Sequence, residues 1–295
     1  MAMFRTILTH MTGTDCDQPV LAMASQIARN FSGHLECLRV VADPTALVMQ
    51  TAQLDLVTSA LLADTLDVVE LQNRETTQRA RVTLAEFCKR EGIVFADEPP
   101  GPNGVSAHWQ ENPGDELDEL TSQTRFHDLV VLAGGAERKG RLSPEGIGQI
   151  IIGAGRPVIL APEKASKSLT KTIAIAWKNT PEAARAITAA MPLLTKAERI
   201  EVLSANEEDT RAMECVDCSD GVVQQLRWHG LNASSHFVIP AGRTVPHAIL
   251  ESAHGVKADL LVMGGYGNSR FREFIFGGFT KRILDGVDLP VLVFH

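Results

Sequence analysis

A chain of 295 residues with 44% hydrophobic and 22% charged side chains has enough apolar material for about two compact units, which excludes a mostly disordered protein. Its formal charge of -8 argues against a surface built to neutralise phosphate backbones, so nucleic acid is not an expected partner. No stretch reaches the roughly 18 apolar residues of a membrane span, and the opening segment from Met1 to His10 lacks a signal-type apolar run. A cytoplasmic protein without a membrane partner is therefore expected, and five sparse cysteines fit reduced thiols.

In chain order, three markers occur and then recur. Phe4-Arg5-Thr6-Ile7-Leu8-Thr9 resembles Thr170-Lys171-Thr172-Ile173-Ala174-Ile175. His127-Asp128-Leu129-Val130-Val131-Leu132-Ala133-Gly134-Gly135 lies without gaps over Ala258-Asp259-Leu260-Leu261-Val262-Met263-Gly264-Gly265-Tyr266. Arg156-Pro157-Val158-Ile159-Leu160 is set against Leu289-Pro290-Val291-Leu292-Val293. The constant order means a duplicated domain, with the boundary near Lys167 in a polar, small-residue stretch, giving units 1–166 and 167–295. The closing runs Val158 to Leu160 and Val291 to Phe294 are expected to cover one another as paired edges, like a dimer within one chain.

The first copy carries one expansion, between Ala46 and Arg90, whose apolar period and interspersed Asp residues predict an amphipathic helix packed on its own domain. In the second copy, apolar runs bounded by turn residues alternate with segments of helical period. Strands are expected at Thr172 to Trp177, Arg199 to Leu203, Ala233 to Ile239, Asp259 to Met263 and Val291 to Phe294. Helices are expected at Pro181 to Leu194, with Thr180 as N-cap, then Asp220 to His229, Thr244 to His254 and Phe279 to Asp285. This alternation is the sequence form of a parallel sheet with crossover helices, so the fold class is α/β with two tandem five-stranded parallel-sheet domains.

Chemistry concentrates at Gly264-Gly265-Tyr266-Gly267, followed after nine residues by Gly277-Gly278-Phe279-Thr280. Bare backbone at a strand end, then a glycine pair opening a helix, lets N–H groups approach an anion at the positive end of a helix dipole. The alternative is that these glycines only permit tight turns. Cys215-Val216-Asp217-Cys218 reads as a redox pair, half a metal site with His229 and His236 at unusual spacing, or adventitious loop cysteines. Serine-hydrolase elbow, zinc-protease and Walker patterns are absent, and no catalytic residue is assigned.

The spacing Gly-x-x-Gly, nine residues, Gly, on the connection after the fourth strand of a five-stranded repeat, resembles the nucleotide-binding signature of the universal stress protein family. The resemblance covers the chain as two tandem copies. It implies an adenine nucleotide alpha hydrolase-like, flavodoxin-like fold, ATP or AMP held by the glycine loop, copies packed through their last strands, and no established turnover. Magnesium is left open, as are a protein partner and a homodimer.

Carried over by position, the resemblance points to Ala176, Trp177 and Lys178 after the first strand and to Met263, Gly264, Gly267, Asn268, Arg270, Gly277, Gly278, Phe279 and Thr280 around the glycine turn. Gly278 stands where ATP-binding members have Ser or Thr, and Lys178 stands near where they have an Asp that contacts the nucleoside. Lys178 either reaches a phosphate or is a solvated turn residue, Trp177 either stacks on adenine or fills core, and Arg270 and Arg272 either pair with phosphate or are surface charges.

The first copy departs further, with Ala133 and Ala136 at the places of Gly264 and Gly267, and Ile147 and Gln149 at those of Gly278 and Thr280. It is expected to serve as scaffold. The combined expectation is a stress-responsive regulatory protein that binds adenine nucleotide in its C-terminal copy. The alternatives are a nucleotide-free interaction scaffold, and a slow ATPase or thiol/metal activity at Cys215 and Cys218.

Overall fold

The computed structural model describes residues 3–43, 59–98, 104–134, 142–164, 168–205, 212–265 and 288–295, with side chains described from 66 and from 219 in the second and sixth segments. The N-terminal half runs β1 (Thr6–His10), α1 (Asp17–Phe31), β2 (His34–Val41), α2 (Ser59–Glu91), β3 (Val94–Phe95), β4 (Ser106–Pro113), α3 (Glu116–Thr124), β5 (Leu129–Ala133), α4 (Pro144–Ala154) and β6 (Val158–Ala161). The C-terminal half runs β7 (Thr172–Trp177), α5 (Pro181–Leu194), β8 (Arg199–Ala205), α6 (Ala212–Trp228), β9 (Ala233–Val238), α7 (Val245–Gly255), β10 (Leu260–Gly264) and β11 (Val291–Phe294). The expected boundary at Lys167 and the expected helix at Phe279 to Asp285 lie outside the described residues.

All described strands join one eleven-stranded sheet in the order β3-β4-β2-β1-β5-β6-β11-β10-β7-β8-β9. Within each half the pairs are parallel, and the central strands are apolar along their whole length because helices cover both faces. Helices α1, α2, α5 and α6 pack on one face, around Ile7, Leu35, Ile173, Ile175 and Val202. On the other face α3, α4 and α7 pack around Leu8, Val130, Ala174 and Met263.

The expected seam between the copies forms. β6 and β11 pair antiparallel, with Val158 opposite Val293, Ile159 opposite Leu292 and Leu160 opposite Val291. Each copy thus hides its last edge against the other. Because this one pair is antiparallel while the rest are parallel, the C-terminal strand ends of the two halves point to opposite edges of the sheet.

Local chemistry sets the helix starts. The Thr180 hydroxyl accepts the N–H of Ala183 at 3.4 Å and Pro181 occupies the first turn of α5, as the sequence predicts. Ser143 and Pro144 do the same for α4. Two expectations need correction. Helix α6 begins at Ala212, ahead of the expected Asp220, so the backbone at Cys215 and Cys218 is helical and these are not loop cysteines. The N-terminal half also has a sixth, two-residue strand, β3, paired with β4. The described part of the expansion is a 33-residue helix, α2, which buries Ala80, Leu84, Phe87 and Cys88 against its own half.

Candidate functional site

In each half the strand order reverses between the first and fourth strands of the copy, β1/β5 in the N-terminal half and β7/β10 in the C-terminal half. A crevice at the carboxyl ends of those strands is where open α/β sheets take ligands, because connections leave there in opposite directions. The two crevices can be compared position by position through the sheet register.

In the C-terminal half, Met263 pairs with Ala176 and Trp177 with Ser204, so Gly264, Trp177 and Ser204 form one row across β10, β7 and β8. All three lie on the face of α5, as the burial of Val262, Ile175 and Val202 in that face's core requires. Helix α5 begins directly over Gly264. A Cβ there would sit 2.6 Å from the Ala183 nitrogen and 2.7 Å from the Glu182 carbonyl carbon, so glycine is what allows the helix start to approach the strand end. Met263 and Ala176 turn the other way, into the core of the opposite face, and offer only backbone to this edge. Lys178 is exposed one residue beyond the strand. Gly267, Asn268, Arg270, Gly277, Gly278, Phe279 and Thr280, with Arg272, lie outside the described residues.

Three polar atoms along this edge, Trp177 Nε1, Ser204 Oγ and Glu182 Oε2, are buried without a hydrogen-bond partner. The other carboxylate oxygen of Glu182 accepts from Arg185 at 3.0 Å. Neither Glu182 nor Ser204 stood out in the sequence. The signal that finds them is register: Ser204 is opposite Trp177, and Glu182 is in the first turn after the Thr180 cap.

The N-terminal crevice has the same row with different occupants. By repeat and register, Ala133, Met11 and Arg39 stand where Gly264, Trp177 and Ser204 stand. Arg39 is 8% exposed, and its guanidinium donates to the Met11 carbonyl at 3.4 Å and to Thr76 Oγ1 of α2 at 2.9 Å. The β1–α1 turn is tied down by fully buried Asp17, which accepts from Thr12 N, Thr12 Oγ1 and Gly13 N at 2.8 to 2.9 Å. Gly13 has φ +73°, and a Cβ on it would lie 2.2 Å from the Thr76 carbonyl oxygen. Helix α2 therefore rests its backbone on the turn that borders this crevice. At the end of β1, His10 Nε2 is 3.1 Å from Glu116 Oε1, and these bonds and charges hold the Glu116 carboxyl below its ordinary value although burial pushes it up.

Two further clusters line the opposite face, one near each end of the sheet. His108 Nδ1 bonds Glu36 at 2.7 Å, and His34 joins Ser106 at 2.6 Å. Glu201 takes His236 at 2.7 Å, the Ser234 hydroxyl, and Arg199 at 2.9 Å. His236, considered above as a metal ligand, is thus engaged by a carboxylate. Among the described residues no group of three His, Cys, Asp or Glu is arranged to hold a metal ion, and no described helix is long and apolar enough to cross a membrane.

The fold and its crevices define a doubly wound α/β protein of tandem construction, with helix α2 resting on the turn beside one of its two crevices. Residues 170–295 match the family model described as the universal stress protein family. Over 99% of its length the chain is similar to a universal stress protein from Archaeoglobus fulgidus DSM 4304, at 15% identity, 97% coverage of that chain and TM-score 0.65. It is similar over 99% of its length to a putative universal stress protein from Pseudomonas aeruginosa UCBPP-PA14, at 17% identity, 93% coverage of that chain and TM-score 0.61. At these identities the likeness establishes the fold. No curated protein matches the chain. The family match lies in the C-terminal half of the chain.

Proposed function

We propose that this protein binds an adenine nucleotide, ATP or AMP, in its C-terminal half and acts as a stress-responsive regulatory module. The supporting observation is the asymmetry of the two crevices. In the N-terminal half Arg39 and Asp17 bond the strand ends and α2 from within the chain, although Arg39 Nε and His10 Nε2 also lack hydrogen-bond partners. In the C-terminal half Trp177, Ser204 and Glu182 keep buried polar atoms without partners. The family match spans the half that carries Gly264, Gly267, Gly277 and Gly278, whose bare backbone suits a phosphate group at a helix start. The residues present therefore fit a nucleoside at the strand ends and phosphate at the glycine turn.

Regulation would follow by linkage. A nucleotide that prefers one conformation of this edge shifts the chain toward it, by no more than its difference in affinity between the two. The test is mass spectrometry of small molecules released from freshly purified, denatured protein, with calorimetry of ATP and AMP on the full chain. Bound adenylate that is lost in Gly277→Phe, while melting is unchanged, supports the reading. Calorimetry without heat for every adenylate, with none released, overturns it.

A further inference from the structure

Groups buried without a partner cost free energy that a folded protein seldom leaves unrecovered, so three of them along one edge ask for a common explanation. Ser204, at 2% exposure, sits at the strand end beside Trp177, and the backbone of Glu182 and Ala183 passes over Gly264, the neighbour of that tryptophan on its other side. The row offers an indole N–H, a hydroxyl and a carboxylate oxygen, which are a donor, a group of either kind and an acceptor. A phosphate presents acceptors alone, and a carboxylate repels it. A vicinal pair of hydroxyls fits, because each hydroxyl donates toward the carboxylate while accepting from the indole or the serine.

We propose that Glu182, Trp177 and Ser204 form a subsite for the cis-diol of the ligand's sugar, so that the C-terminal half selects ribonucleotides over deoxynucleotides. The inference rests on the nucleotide-binding reading above and adds the orientation of the ligand: sugar hydroxyls toward the start of α5, phosphate away from Glu182. The N-terminal half lacks this set of groups: Gln18 stands at the helix position of Glu182, and Arg39 stands at that of Ser204 with its guanidinium bonded to Met11 and Thr76 and only Nε unpartnered.

The experiment is calorimetry on the full chain with AMP, 2′,3′-dideoxyAMP and inosine monophosphate, using the wild type, Glu182→Gln, Ser204→Ala and Arg185→Ala. Dideoxy ligand should bind the wild type about tenfold or more weakly than AMP, because a site built to bond hydroxyls rejects an analogue that lacks them. Glu182→Gln should bring AMP down toward the dideoxy level while changing dideoxy binding little. Ser204→Ala should narrow the same gap. Arg185→Ala, which removes the partner of the other Glu182 oxygen, should keep the preference. Trp177→Phe should remove the fluorescence change produced by AMP.

Equal binding of AMP and the dideoxy ligand overturns the subsite and leaves nucleotide binding standing. So does a loss in Glu182→Gln that is the same for both sugars, or one that follows the base when inosine monophosphate replaces AMP. If no adenylate binds the wild type, both proposals fall. Thermal melting of each variant separates a lost subsite from a lost fold.

Discussion

Ile159 and Leu292 face each other across the antiparallel pair of β6 and β11, and both are fully buried in the core shared by the two halves. This contact turns two parallel sheets into one and gives neither copy a free last edge. Ile159→Ala and Leu292→Ala should each cost about 2–5 kcal/mol, as large-to-small changes in closed cores do. Urea unfolding followed by circular dichroism checks this. Because the two side chains touch one core, the double variant should depart from the sum of the singles.

The meeting of Gly13 with the Thr76 carbonyl supplies a second prediction. Gly13→Ala puts a methyl group 2.2 Å from that oxygen on a backbone with φ +73°. Strain of this kind costs about 1–3 kcal/mol before any displacement of α2 is counted. The variant should unfold at lower urea, and its α2 amides should exchange faster than those of α5. Unchanged exchange in α2 would mean that the helix does not bear on the turn.

Acid stability should depend on Glu36. Burial pushes its carboxyl up, but hydrogen bonds to His34 and His108 and the charges of those rings bring it below its ordinary value of 4.5. A lowered carboxylate stabilises the folded state fully above the unfolded value, and this contribution disappears as pH falls through the folded value. Stability should therefore decline as pH drops below about 4.5. Glu36→Gln should be less stable at pH 7 and show a shallower decline in acid, read from melting temperature against pH.

The N-terminal thiols should be inert in the native protein. Burial pushes Cys37 up to about 12 and Cys88 up to about 11, so neither forms appreciable thiolate near neutrality. Iodoacetamide at pH 8 should modify both only after unfolding, as peptide mass mapping will show. Fast native labelling at Cys37 would contradict the packing of β2 against α1 and α2.

Much of the fold was legible beforehand, for local reasons. The Thr180-Pro181 start of α5 is written in two adjacent residues, and the short apolar runs at Leu129 and Leu260 show buried parallel strands. The early start of α6 leaves no local signal, because the segment before Asp220 lacks a clear apolar period. At the candidate site the sequence pointed to Trp177 and Gly264, through the end of the first strand and the glycine turn. Glu182 and Ser204 carry no motif.

The chain's own order of residues determined that it is a duplicated α/β unit with different glycine content in its two copies, because hydrophobic period, caps and repeats are properties of neighbouring residues. Only the tertiary structure decided which strand ends lie side by side, that α2 rests on the turn at Gly13, and that Arg39 occupies in one half the place Ser204 holds in the other. Those relations arise from sheet register and helix docking, which join residues from distant parts of the chain, and no local pattern records which distant side chain a buried polar atom will meet or fail to meet.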